Sequence, residues 1–235
     1  MAIYLPIYIN QSLPVINTWS EKMKIGIIGA GFVGRALGKL AVASGHQVMV
    51  SNSRGPKTLF TLSRTTGCQA GTVEEAVNFG DIVIVAIPLE AYRSVPVAPL
   101  EGKIVIDTNN YYPERDGHIA ELDEHQTTTS ELLAQHLPAS RVIKAFNAIR
   151  MNDLDADDFD VIGSERRALP IAGDDEEGKA IVTSLLNEFG FDVVDAGALS
   201  EGWRFEAGTP VYCVPLNKEQ LSAGLRDTTR AANHA

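Results

Sequence analysis

KIGIIGAGFVG, residues 24–34, is a short apolar run that ends in glycines and passes straight into helical spacing. Lys24 to Ile28 read as a buried strand. Phe32, Ala36, Leu37, Leu40 and Ala41 then recur at the period of an amphipathic helix over residues 32–44, and Gly45 stops it. Between them, Gly29-Ala30-Gly31-Phe32-Val33-Gly34 fits GxGxxG. The string is weak alone and acquires mechanical meaning from a strand before it and a helix after it. Gly29 permits the tight turn, Gly31 lets a pyrophosphate approach the backbone, and Gly34 lets helix and strand pack closely.

Working outward, the alternation continues. Residues 47–53 form a second strand, 56–66 a short helix and 68–70 a brief strand; Thr72 with Glu75 three residues on is a capping-box pattern. DIVIVAIP (81–88) and KIVIDTNN (103–110) are buried strands, the first stopped by proline. Residues 111–138 are polar and loop-like, with one helix predicted over 130–136. RVIKAFNAI (141–149), ALPIAGDD (168–175) and FDVVDAG (191–197) read as strands, 176–189 and 216–232 as helices. Strands alternating with helices call for a mostly parallel sheet covered on both faces. The expected fold is therefore α/β, a Rossmann-type doubly wound sheet over residues 23–150 with a small C-terminal α/β extension over 151–235. That extension is read either as more of the same sheet or as a small lobe packed on it.

The end of the second strand selects the dinucleotide. NAD-binding versions of this fold place an acid about 20 residues after the glycines, where it grips the ribose hydroxyls. Here the strand ends in Ser51-Asn52-Ser53-Arg54, with Lys57 a turn later and no acid. A carboxylate repels a 2′-phosphate, whereas Arg54 pairs with it and Ser53 donates a hydrogen bond. NADP(H) is the expected cofactor.

Composition bounds the rest. The 235 residues suffice for a full α/β core. No apolar run approaches the roughly 18–20 residues of a membrane span, so no membrane association is expected. A formal charge of −10 argues against non-specific nucleic-acid binding, which needs a basic face. The two cysteines, Cys68 and Cys213, suggest neither a disulfide framework nor a metal site, and a reduced cytoplasmic setting fits them. Residues 1–22 lack a basic n-region and contain Pro6 and Pro14, so they do not read as a signal peptide. They are expected to form a peripheral arm, with Met23 as an alternative translation start; an oligomer-contacting arm is the other reading.

GIIGAGFVGRALG, SNSR, VAIP, KAFNAI, IAGDD and DAGALSEGWRFEAGTP together resemble the NADP oxidoreductases that use coenzyme F420, a deazaflavin. The resemblance runs from Met23 to near the C-terminus and extends to the reductase domains of membrane-bound metalloreductases, which pass electrons from NADPH to flavin. DTNNYYPERDG looks like a bacterial subgroup. The resemblance implies that Ala30 to Val33 contact the pyrophosphate and that Ser53 and Arg54 contact the 2′-phosphate. It implies further that Ile87 and Pro88 line the ribose side, that Ala148 lies beside the nicotinamide with Asn109 as a neighbour, and that the protein is a homodimer. The partner it implies is a small redox acceptor, a deazaflavin or a flavin.

No catalytic constellation accompanies these residues. Hydride transfer between cofactors needs alignment and exclusion of water more than a protein acid or base. His118, His125 and His136 fall in the polar connection, without the spacing of a zinc-binding helix, and His46 is read as structural. Asp153, Asp155, Asp157, Asp158 and Asp160 lack the glycine turn of a calcium loop. Lys144, inside a strand, receives no role. Trp203, Arg204 and Phe205 either stack on a planar ring and meet an anionic tail, or form a packed edge or dimer contact. Two other readings remain: a dehydrogenase or imine reductase, which would follow the first domain with an all-helical one, and a non-catalytic NADPH-sensing module.

Overall fold

The computed structural model describes residues 22–154 and 166–230. The expected arm, apart from Lys22, and the acidic run after Asp153 lie outside the described residues.

The chain opens with β1 (Lys24–Ile28), α1 (Phe32–Ala43) and β2 (Gln47–Ser51). A 3-10 turn at Pro56–Leu59 leads into α2 (Phe60–Thr66), then β3 (Gln69–Gly71), α3 (Val73–Phe79), β4 (Ile82–Val85) and β5 (Ile104–Asp107). The polar connection holds α4 (Pro113–Asp116), α5 (Ala120–Asp123) and α6 (Thr129–His136) before β6 (Arg141–Lys144). After α7 (Met151–Leu154) come β7 (Ala168–Gly173), α8 (Glu176–Glu188), β8 (Asp192–Asp195), a 3-10 segment at Leu199–Phe205 and α9 (Lys218–Asp227).

All eight strands join one sheet in the order β3-β2-β1-β4-β5-β6-β7-β8, so the final strands extend the sheet itself. β1 to β6 are parallel. β7 pairs antiparallel to β6, with Ile143 opposite Gly173 and Lys144 opposite Ala172, and β8 runs parallel to β7. The central strands show the continuous apolar runs of a sheet covered twice. Period-2 alternation sends Ile82, Ile84, Ile104 and Ile106 to one face under α1, α2 and α8, and Val83, Val85 and Val105 to the other under α3 and α6. A third cluster, around Phe205, Val211, Leu221 and Leu225, packs α9 onto the β7 end. Among the described residues no helix is long and apolar enough to cross a membrane.

The doubly wound, mostly parallel sheet follows the sequence expectation, with three local corrections. The strand expected over 141–149 ends at Lys144, because Phe146 takes a φ of 60°, a conformation no strand accommodates. The connection read as one helix in a loop contains three helices. The helix expected over 216–232 covers Lys218–Asp227, opened by an Asn217–Gln220 capping box.

Candidate functional site

Strand order locates the site. β1 and β4 are neighbours, yet the chain leads from one to β2 and from the other to β5 on opposite sides. The crevice beyond their C-terminal ends is the topological switch point, where such sheets take ligands. A cavity of about 450 Å3 lies there.

Its floor is the glycine-rich turn. Gly29, at φ 111°, donates its N–H to the Ser51 carbonyl at 3.0 Å, and a Cβ there would run into the Ala86 carbonyl. A Cβ on Gly34 would strike the Gly29 carbonyl, so close helix-to-turn packing demands glycine. At Gly31 a Cβ would meet nothing within 4 Å; the protein itself makes no demand for a bare backbone at that point. Helices α3, α6 and α9 close their N-termini with capping boxes, but α1 has no side-chain cap and no acid in its first turn. Its first N–H groups, and the positive end of its dipole, face the cavity unanswered.

The wall beside the turn comes from the end of β2. The Asn52 carboxamide donates to Thr58 Oγ1 at 2.9 Å and accepts the Arg54 N–H at 3.0 Å. This Asx turn holds Ser53 and Arg54 on the cavity wall. Arg35, which the sequence reading missed, joins them and donates its Nε–H to the Ala30 carbonyl at 2.8 Å. Its local sequence signal is faint, a basic residue near a helix start where acids are usual. Among the described residues, two guanidiniums and no carboxylate line this cavity. Lys57 is exposed and lines neither this cavity nor the next.

A second cavity, about 880 Å3, adjoins the first and shares Gly31, Phe32, Ala86, Ile87 and Pro88 with it. Phe32 stands 74% exposed between the two. Val33 and Asn109 line the second cavity. Ala148 does not: it packs against the Phe205 cluster, while its neighbours Asn147 and Ile149 form the wall. On the far side stand Tyr112, Arg115, Arg150, Tyr212 and Cys213, from segments the sequence reading left without a role. The Tyr112 and Tyr212 hydroxyls are hydrogen-bonded to each other. Burial, with the Tyr112 contact second, pushes the Tyr212 phenol far above its ordinary range, and burial also raises the Cys213 thiol. Cys213 sits at φ 57°, a strained position for a residue with a side chain.

Beneath the second cavity lies a buried charge network. The Lys144 ammonium, 0% exposed, donates to Thr129 Oγ1 at 2.6 Å, Ser130 Oγ at 3.2 Å and the Asn109 carbonyl at 3.2 Å, and stands 3.1 Å from Glu206 Oε1. Asp107 accepts from Ser130 Oγ at 2.6 Å and from the Asn109 N–H at 3.0 Å. Burial raises the Asp107 carboxyl above the ordinary aspartate range, more than Lys144 and Ser130 lower it. Burial also acts to raise Glu206, but Lys144 and Thr129 outweigh it and hold that carboxyl low.

His46, His118 and His136 lie outside both cavities. His118 pairs with Asp123 at 2.9 Å, His136 with the Val95 carbonyl at 2.8 Å, and His46 links the Met23 N–H to Glu188. Phe205 is fully buried, and Arg204 pairs with Glu201 and donates to the Leu225 and Thr228 carbonyls. The guanidiniums of Arg204 and Arg230 lie 4.6 and 5.1 Å from the Trp203 ring centroid. That segment fastens α9 to the sheet.

Comparison with known proteins places this geometry. The chain is 34% identical over 202 residues to the metalloreductase STEAP3 of Rattus norvegicus, a match covering 83% of this chain and 38% of that protein. It therefore spans less than half the length of that relative. A solved hypothetical protein, SMa0349 from Sinorhizobium meliloti, superposes with a TM-score of 0.74 at 28% identity, over 85% of this chain and 97% of that one. A candidate F420-dependent NADP-reductase from Arthrobacter sp. FB24 gives a TM-score of 0.66 at 24% identity, over 75% and 85%. A reductive aminase of Aspergillus terreus in complex with NADPH and ethyl-5-oxohexanoate, 18% identical with a TM-score of 0.55 over 76% and 56%, shares the fold. Residues 24–111 match the family described as NADP oxidoreductase, coenzyme F420-dependent.

Proposed function

We propose that this chain binds NADP(H) across the two adjoining cavities and serves hydride transfer between NADPH and a deazaflavin, flavin or similar small planar acceptor. The observation that carries the reading is the first cavity: an uncapped helix N-terminus, Arg54 and Arg35 on its wall, and no carboxylate among the described residues. The α1 N–H groups suit a pyrophosphate, and the Arg54 guanidinium with the Ser53 hydroxyl suits a 2′-phosphate. Bound NADPH supplies the hydride.

The protein's own part is to orient and to exclude water. Ile87 and Pro88 wall the passage from the first cavity to the second, and the exposed Phe32 ring stands over it. The second cavity has room beside a nicotinamide ring for a planar partner. Its lining offers the Tyr112–Tyr212 phenol pair and the Arg150 guanidinium, again without a carboxylate among the described residues, which favours an acceptor bearing an anionic group. Alignment of two rings is worth far more to such a transfer than an acid or base.

The test is NADPH oxidation measured against coenzyme F420, FMN, FAD, a quinone and a ferric chelate. Turnover with a deazaflavin or flavin acceptor is the expected result. Tight NADPH binding without turnover on any acceptor would replace this reading with a nucleotide-sensing role, and turnover on the ferric chelate alone would replace the planar acceptor.

A further inference from the structure

We propose that Asn109 and Asn147 form a reader for a primary carboxamide, and that the buried charges beneath them set its geometry. The proposal rests on the NADP(H) reading and adds the group by which the nicotinamide ring is recognised and oriented.

Asn109 is 3% exposed and Asn147 2%, and both line the second cavity. Neither side-chain atom of Asn109 has a hydrogen-bond partner among the described residues, nor does Asn147 Oδ1. Buried polar atoms of this kind are rare, because desolvation without a partner is costly. The Asn147 amide orientation is fixed chemically: its nitrogen donates to the Phe205 carbonyl at 3.0 Å, and a backbone carbonyl only accepts. The same nitrogen donates to Asn110 Oδ1 at 3.1 Å, while the Asn110 amide returns a bond to the Asn147 carbonyl at 2.9 Å. These two cavity-lining residues thus hold one unanswered donor, Asn109 Nδ2, and two unanswered acceptors, Asn109 Oδ1 and Asn147 Oδ1, all closed over at the wall, so that a ligand meets them as the side chains turn toward the cavity.

That inventory is the complement of a primary carboxamide, which carries two N–H donors and one carbonyl acceptor. It is the wrong complement for the imide edge of a flavin or deazaflavin ring, which carries two carbonyls and one N–H, and for a carboxylate, which donates nothing. The site is also built to hold Asn109 still. Asp107 grips its backbone N–H and Lys144 its carbonyl, at 3.0 and 3.2 Å. Burying a lysine, an aspartate and a glutamate together is costly unless close pairing and hydrogen bonds offset the lost hydration; here Asp107 and Lys144 anchor both ends of one residue, as positioning groups, and Glu206 pairs with Lys144.

Binding of three probes separates the possibilities: NADP+, its nicotinic acid analogue, and 2′-phospho-ADP-ribose, which lacks the ring. The expected result is that NADP+ binds at least roughly tenfold more tightly than the acid analogue, the scale of one or two hydrogen bonds. Asn109→Leu should reduce that ratio to within about threefold while leaving 2′-phospho-ADP-ribose affinity within about twofold, since the ring-free probe makes none of these contacts. Should Asn109→Leu not fold, Asn109→Ser carries the same expectation. Equal affinity of the wild-type protein for NADP+ and the acid analogue, with 2′-phospho-ADP-ribose bound tightly, overturns the carboxamide reader and leaves the NADP(H) reading standing. Failure to bind any of the three overturns both. An unchanged ratio in the Asn109 variant removes that residue from the reader.

Discussion

A guanidinium and a carboxylate make opposite demands on an adenosine ribose, and this chain places the guanidinium at the end of β2. Arg54 makes no ion pair among the described residues, and Asn52 fixes the backbone that carries it. Arg54→Ala should therefore weaken NADPH binding by about 1.5–3 kcal/mol, the scale of a charge-assisted hydrogen bond, and leave NADH nearly unchanged. Parallel titrations with both nucleotides check this; equal losses would show that Arg54 does not read the 2′-phosphate. Arg54 was legible in the sequence because it occupies a position defined by counting from the glycines. Arg35 was not, since its reach into the cavity depends on the turn of α1 bringing it beside Ala30. Lys144 was equally opaque: a lysine in a strand reads as an edge residue until the packing of α6 and the Leu199–Phe205 segment closes over it.

The elements tell a similar story. The run β1, glycine turn, α1 was readable in full, since its period, its breakers and its glycines are all local. The direction of β7 was not, because ALPIAG reads the same in a parallel or antiparallel ladder. Nor was the end of β6, since nothing local announces a phenylalanine in the left-handed region. One residue ties the reversed strand pair to its neighbour. Asp175 caps α8 by accepting from the Gly178 N–H and pairs with Arg141 on β6. The Arg141 hydrogen bond, opposed by partial burial and aided by the cap, holds the Asp175 carboxyl below the ordinary aspartate range. A carboxyl so depressed stabilises the fold above the unfolded-chain value, and the contribution is lost as pH falls through the folded value. Asp175→Asn keeps a capping side chain and removes the charge. It should cost under about 1 kcal/mol at neutral pH, because the pair is partly exposed and screened. Urea unfolding at pH 7 and near pH 3 should show the difference between the two proteins shrink at the acid end; a difference that is undiminished there would assign it to the cap.

At the scale of the whole molecule, cofactor binding and folding draw on the same surfaces: β1, β2, β4, β5 and β6 all lead into the two cavities. Saturation with NADPH at about a hundredfold over its Kd should stabilise the protein by about 2.7 kcal/mol, which for a chain of this size raises Tm by about 5–10 °C. Thermal unfolding with NADPH, and with NADH at the same concentration, checks this; an equal shift for both would remove the 2′-phosphate preference. Because β7 and β8 run against the other strands, their exits point away from the switch point. The chain must climb back along the sheet through residues 199–213 to bring Tyr212 and Cys213 to the second cavity. The residues that line the first cavity thus sit at ladder ends, whereas part of the wall of the second is delivered by a returning segment. Substitutions at Tyr212 and Cys213 are therefore expected to reshape the second cavity while the first, at the β1 and β2 ends, keeps its form.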